Sequence, residues 1–189
     1  VATAAGHNEL SVLLLDKGAN PNTADQRGFA ALHYAASDQR PELVKALLAH
    51  GANPNMRTTR DAPRNTASGI SVKGATPLFL AAAAADVEST RALIAAGADP
   101  FITTDDKTAP LVVGAGGGFP YNKDWTDEEK KSLLEITRLL VGRGADVNAA
   151  GEHGWTPLHG AAYKGIDSVV EFLIGKGAKT EVLDEYGQT

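Results

Sequence analysis

The chain has 189 residues, with 18 Lys and Arg against 23 Asp and Glu, a formal net charge of −5. That balance disfavours broad nucleic-acid binding. The absence of cysteine excludes disulfides, thiolate zinc sites and cysteine nucleophiles, and no apolar run is long enough to span a bilayer. In chain order, the first expected element is a helix through Leu10 to Leu15, behind the turn Gly6-His7. Gly28-Phe29-Ala30-Ala31-Leu32-His33 starts a second helix without a hydroxyl cap, and Pro41 opens the helix after it. The stretch from about Arg57 to Lys73 is polar, shows no helical period, and is locally positive through Arg57, Arg60, Arg64 and Lys73 against Asp61. It reads either as a solvated loop or as a contact for an anion or an acidic partner.

Gly74-Ala75-Thr76-Pro77-Leu78-Phe79 then starts a helix kept thin by Ala81 to Ala85, and Thr108-Ala109-Pro110-Leu111 starts another that reaches Gly118. From Phe119 to Lys131 the pattern breaks. Thr126 and Glu129 have the spacing of a capping box, and Asp127, Glu128 and Glu129 suit the positive end of a helix running to about Val141. Phe119, Tyr121 and Trp125 cluster before it, and either pack onto the scaffold or stand out as binding anchors. The clearest stretch is the last. Thr156 caps a helix with Pro157 at its first position, and Leu158, Ala161 and Ala162 share one face. Gly165 breaks it, and Ile166, Val169, Val170, Leu173 and Ile174 form the apolar face of a second helix that Gly177 stops in a left-handed conformation.

Such a helix pair has two apolar faces and cannot hide both alone. Copies of it are present: Gly-Ala pairs recur at Gly18, Gly51, Gly97, Gly144 and Gly177, spaced 33, 46, 47 and 33 residues apart. The motif T-P-L-H-x-A-A-x-x-G, a helix, then G-A resembles the ankyrin repeat, with its period of about 33 residues. The resemblance covers nearly the whole chain and implies an all-α ankyrin-repeat solenoid, helix–turn–helix units with β-hairpin fingers, of about five repeats with partial repeats at both ends. The expected division is a single solenoid over 1–189, with a partial repeat over 1–24, a repeat over 25–56 and a finger insertion over 57–73. Further repeats cover 74–104, 105–149 with an insertion over 119–131, and 150–183, and a sixth starts at 184–189. Val1 aligns with Gly160, and Thr189 with Thr156, so the native polypeptide is expected to extend past both ends.

No catalytic or metal constellation stands out. His7, His33, His50, His153 and His159 lack metal-ligand spacing. Gly114 to Gly118 lacks the Gly-Lys-Ser/Thr of a phosphate loop, and reads as small residues where a helix ends. The resemblance implies that His159 bonds the Thr156 hydroxyl structurally. It further implies a non-enzymatic protein-interaction scaffold with no cofactor and no metal, whose partner is a protein rather than nucleic acid or membrane. Self-association through open repeat ends, or a place within a longer multidomain protein, is the alternative. Carried over by position, the expected contact residues on the fingers are Gln26, Arg27, Phe29, Val72, Lys73, Ala75, Asp105, Asp106, Thr108, His153, Trp155 and Tyr186. On the first helices they are Tyr34, Ser37, Asp38, Leu80, Ala83, Val113, Tyr163 and Lys164, and the insertion adds Tyr121 and Trp125.

Overall fold

The computed structural model describes residues 2–60, 71–117, 125–151 and 153–189. The helices in chain order are α1 Asn8–Asp16, α2 Ala31–Ser37, α3 Pro41–Ala49, α4 Pro77–Ala83 and α5 Val87–Ala95, then α6 Pro110–Gly114, α7 Asp127–Gly142, α8 Pro157–Tyr163 and α9 Asp167–Gly175. Among the described residues all regular structure is helical. Short helices α2, α4, α6 and α8 stack as one layer, and α1, α3, α5, α7 and α9 stack as a second behind it. This is an all-helical repeat solenoid.

The short layer is built on small side chains. Ala35, Ala36, Ala81, Ala82, Ala115 and Ala161 are fully buried, so successive helices approach closely. Helix α8 comes especially close to the turn that follows α6: a Cβ at Gly160 would lie 2.5 Å from the Gly117 nitrogen. The glycine-rich stretch after α6 is therefore a packing device, as far as Gly117. Behind this layer Leu43, Val44, Leu47, Leu93, Leu133, Ile136, Leu140, Val169 and Leu173 fill the space between the two helix layers.

Helix starts follow their local chemistry. The Thr76 and Thr156 hydroxyls accept from the N–H groups of Phe79 (3.2 Å) and His159 (3.4 Å). Thr126 and Glu129 close the expected capping box, with Glu129 Oε2 accepting from the Thr126 N–H at 3.0 Å. The box begins the 16-residue α7, against 9 residues for α5 and α9. At α2, where Ala30 offers no hydroxyl, the His33 N–H turns to the Ala30 carbonyl at 3.0 Å, and only the ring's half of the box remains, its Nδ1 taking the Ala30 N–H at 3.1 Å.

Three asparagines tie neighbouring units along the loops behind the long helices. Asn22 donates to the Gly51 carbonyl (3.0 Å) and accepts from the Asn53 N–H (2.7 Å). Asn55 does the same with Gly97 and Asp99, and Asn148 with Gly177 and Lys179. At the corresponding place after α5 stands Phe101, 60% exposed, with its ring against Gly144.

Each finger is a tight turn with one residue at positive φ: Gly28 (+80°), Gly74 (+81°), Gly154 (+74°) and Gly187 (+74°), but Lys107 (+65°) in the third of the five. A side chain in that region is strained by about 1–2 kcal/mol, partly offset by the greater unfolded-state entropy of glycine. Lys107→Gly is therefore expected to stabilise the fold by about 0.5–1 kcal/mol, read as a higher urea midpoint; a lower midpoint would mean the lysine makes contacts that outweigh its strain.

Candidate functional site

The fingers and the short helices share one side of the solenoid, and the accessible aromatic groups on that side lie at its two ends. At the first end, Tyr34 on α2 donates to Asp25 Oδ2 at 2.7 Å, and Arg27 reaches both Asp25 (3.4 Å) and the Tyr34 oxygen (3.3 Å). Asp25 also accepts from the N–H groups of Arg27 (2.8 Å) and Phe29 (3.0 Å), which shapes the turn. Burial raises the Asp25 pKa, but the Tyr34, Arg27 and Phe29 hydrogen bonds outweigh it and hold the carboxyl below its ordinary range. Ser37, Asp38 and Gln26 are exposed beside this cluster, and Asp38 pairs with Arg40 at 2.5 Å.

At the other end the Trp155 and Tyr163 rings meet at 5.6 Å, with the Lys164 ammonium 5.6 Å from the Tyr163 ring centre. Tyr163 is 55% exposed and Tyr186, on the last finger, 74%. Hydrogen bonds from the Gln188 and Tyr186 N–H groups, with the Trp155 side chain adding to them, hold Asp184 below the usual carboxylate range. His153 Nδ1 lies 2.8 Å from Glu185 Oε2, and that hydrogen bond lowers the Glu185 pKa. Between the two ends, Arg57 and Lys73 clamp Asp105 at 3.0 and 3.2 Å.

Several expected contact residues lie elsewhere. Phe29 is 6% exposed because its ring packs between His33 and Tyr34. Thr108 is buried, with its N–H and carbonyl bound within its own turn by Thr104 and Asp106. Trp125, 9% exposed, packs with Leu133, Ala161 and Ile166, so it anchors the start of α7 instead of offering a contact. Val72, Ala75, Leu80, Ala83 and Val113 are also buried, which removes the middle of the short-helix layer from the accessible surface. Tyr121 lies outside the described residues. Gln26, Ser37, Asp38, Lys73, Asp105, His153, Tyr163 and Tyr186 are exposed, and Arg27, Tyr34, Asp106, Trp155 and Lys164 are half-buried.

The histidine of the helix-start motif is structural in both places. His159 Nδ1 takes the Thr156 N–H (3.2 Å) and hydroxyl (2.8 Å), and its Nε2 donates to the Gln188 carbonyl (3.2 Å). Among the described residues no three His, Asp or Glu side chains converge as metal ligands, and no helix is long and apolar enough to cross a membrane. Arg60, singled out by the positive stretch but not by family position, and Lys107, named by neither as a contact, are both exposed. The first belongs to an insertion with no counterpart in the regular repeat, and the second stands where glycine is the rule.

Comparison with known proteins agrees with this architecture along the chain. Family models described as ankyrin repeats match residues 14–67, 73–105 and 129–189. Among curated proteins, ankyrin repeat and SOCS box protein 3 of Bos taurus is 30% identical over 194 aligned residues, and ankyrin repeat and SOCS box protein 16 of Homo sapiens 30% over 217. Both alignments take in the whole of this chain, but the chain spans only 32% and 45% of those relatives' lengths. An ankyrin repeat protein of Fowlpox virus is 26% identical over 189 residues, covering 86% of its length. The phased helix pairs, the histidine-buttressed helix starts and these matches agree: the chain belongs to the ankyrin repeat family.

Proposed function

We propose that the chain is a non-catalytic protein-binding scaffold that engages its partner through the fingers and the two exposed ends of the short-helix face. Ankyrin repeats are, as a family, protein-interaction modules. The observation that carries the finer reading is the Trp155–Tyr163 ring pair together with Tyr186 on the last finger, the two tyrosines being the most exposed aromatic residues on this face. Tyrosine and tryptophan dominate binding hot spots because they bury large area with few rotamers. The test is affinity capture from the source extract, followed by titration of the captured protein against the native chain and a Tyr163→Ala/Tyr186→Ala variant. Hot-spot behaviour predicts at least a roughly thirtyfold loss of affinity without loss of folding. Equal affinities would remove this face from the interface.

A second reading has its own support. Leu10, Leu13 and Leu14 are exposed on α1, and Ile174 and Leu183 at the opposite end. Such end faces could stack copies of the chain, and sedimentation across a wide concentration range decides: a monomer throughout rules the stacking out. The partial coverage of the SOCS box relatives suggests, as a third setting, that this solenoid serves as the binding part of a longer protein.

A further inference from the structure

The fingers of the second, third and fourth units form one hydrogen-bonded ledge. The Thr59 and Arg60 N–H groups donate to the Arg27 carbonyl at 2.8 and 3.2 Å, and the Asp105 N–H donates to the Lys73 carbonyl at 2.8 Å. Along this ledge stand Arg27, Arg57, Arg60, Lys73 and Lys107, against Asp25, Asp105 and Asp106. The two signs are arranged differently. Asp25 is tied to backbone N–H groups of its own turn and to Tyr34, and Asp106 accepts the Thr108 N–H at 3.2 Å. Asp105 is held between Arg57 and Lys73. Arg60 and Lys107 are exposed and have no carboxylate partner among the described residues. Lys107 keeps its place at the tip although the turn favours glycine there. Five cations thus stand against three carboxylates, and with Arg27 paired to Asp25 and both Arg57 and Lys73 to Asp105, Arg60 and Lys107 leave the ledge with a positive excess on a chain of net charge −5. The last two fingers lack this excess: His153 is met by Glu185, beside Asp184.

We infer, resting on the proposed scaffold function, that the partner presents an acidic peptide segment, its carboxylates over the ledge from Arg27 to Lys107 and its apolar side chains toward Tyr163 and Tyr186. Basic clusters recognise acidic motifs by charge-assisted hydrogen bonds, and the field of such a ledge orients the partner before contact. A nucleic acid fits less well, because its continuous phosphate charge would be repelled by the acidic far end.

The test uses the whole chain and a displayed library of random peptides. Selected peptides are expected to be enriched in Asp and Glu relative to the input. They should lose roughly tenfold or more in affinity for an Arg60→Gln/Lys73→Gln/Lys107→Gln variant, and weaken as salt is raised. Selected peptides without acidic enrichment, or equal binding to the charge variant, overturn the inference while leaving the binding face intact if Tyr163→Ala/Tyr186→Ala abolishes their binding. A library that yields no binder overturns both. A single-stranded oligonucleotide that binds as tightly as the peptides, and is lost in the same charge variant, overturns the acidic-peptide reading in favour of nucleic acid. Unchanged circular dichroism of the charge variant keeps misfolding out of the comparison.

Discussion

Gly160→Ala is expected to destabilise the last helix pair by about 2 kcal/mol, although alanine is the better helix former. The new Cβ would lie 2.5 Å from the Gly117 nitrogen and 2.7 Å from its Cα, both main-chain atoms that cannot swing aside. Relieving that overlap means moving α8 away from α6, which loosens the packing around Ala115, Ala161 and Ile166. Gly142→Ala is the control: this glycine is helical in α7 and nothing lies within 4 Å of its would-be Cβ. There the same change should stabilise by about 0.5 kcal/mol. Because repeat units contact only their neighbours, the loss from Gly160→Ala should be local. Amide hydrogen exchange should therefore speed up in α8 and α9 well before α2 to α5. Equal or greater protection in the variant would mean that the α6–α8 spacing is looser than 2.5 Å implies.

This seam shows what could be read from the chain alone and what could not. The Gly-Ala spacing placed the helix pairs, and Thr156 with Pro157 marked a helix start, because periodicity and caps are local signals. Gly160 falls in the position that the motif leaves open, so nothing local sets it apart from any other helix glycine; its role depends on Gly117, 43 positions earlier. The pairing of Asn22 with Gly51, or Asn148 with Gly177, needs neighbouring units side by side. For the proposed binding face, family position named residues of the fingers and short helices but did not tell which of them reach water. Trp125 shows why: a tryptophan in an insertion suits a contact or an anchor equally well, and only its place in the buried cluster with Leu133, Ala161 and Ile166 decides for the anchor. Burial of Leu80, Ala83 and Val113 likewise depends on the surroundings of the middle units, not on their own helix pattern.

Acid should weaken the second helix pair through His33 before the carboxylates titrate. Burial drives the His33 pKa down from 6.5 to about 4, against the opposing effect of the Met56 carbonyl, which accepts from Nε2 at 2.9 Å. The other ring nitrogen already accepts the Ala30 N–H, so a second proton would break that bond and leave a charge in the core. The ring is therefore neutral in the folded chain at pH values where the unfolded chain protonates it. Between pH 6.5 and about 4 the unfolded state binds the extra proton, so stability rises with pH across this window. The contribution is fully present above pH 6.5 and is lost progressively as the pH falls toward 4, a total of roughly 3 kcal/mol. The third unit supplies the comparison residue, since Phe79 fills the corresponding buried position there. His33→Phe should be less stable at pH 7, having lost two hydrogen bonds, but its stability should fall less steeply than that of the native chain between pH 6.5 and 4.5. Urea unfolding of both proteins at half-unit pH intervals reads the difference, which should narrow steadily as the pH drops. A constant difference across the window would mean that His33 takes up its proton in the folded state as readily as in the unfolded one.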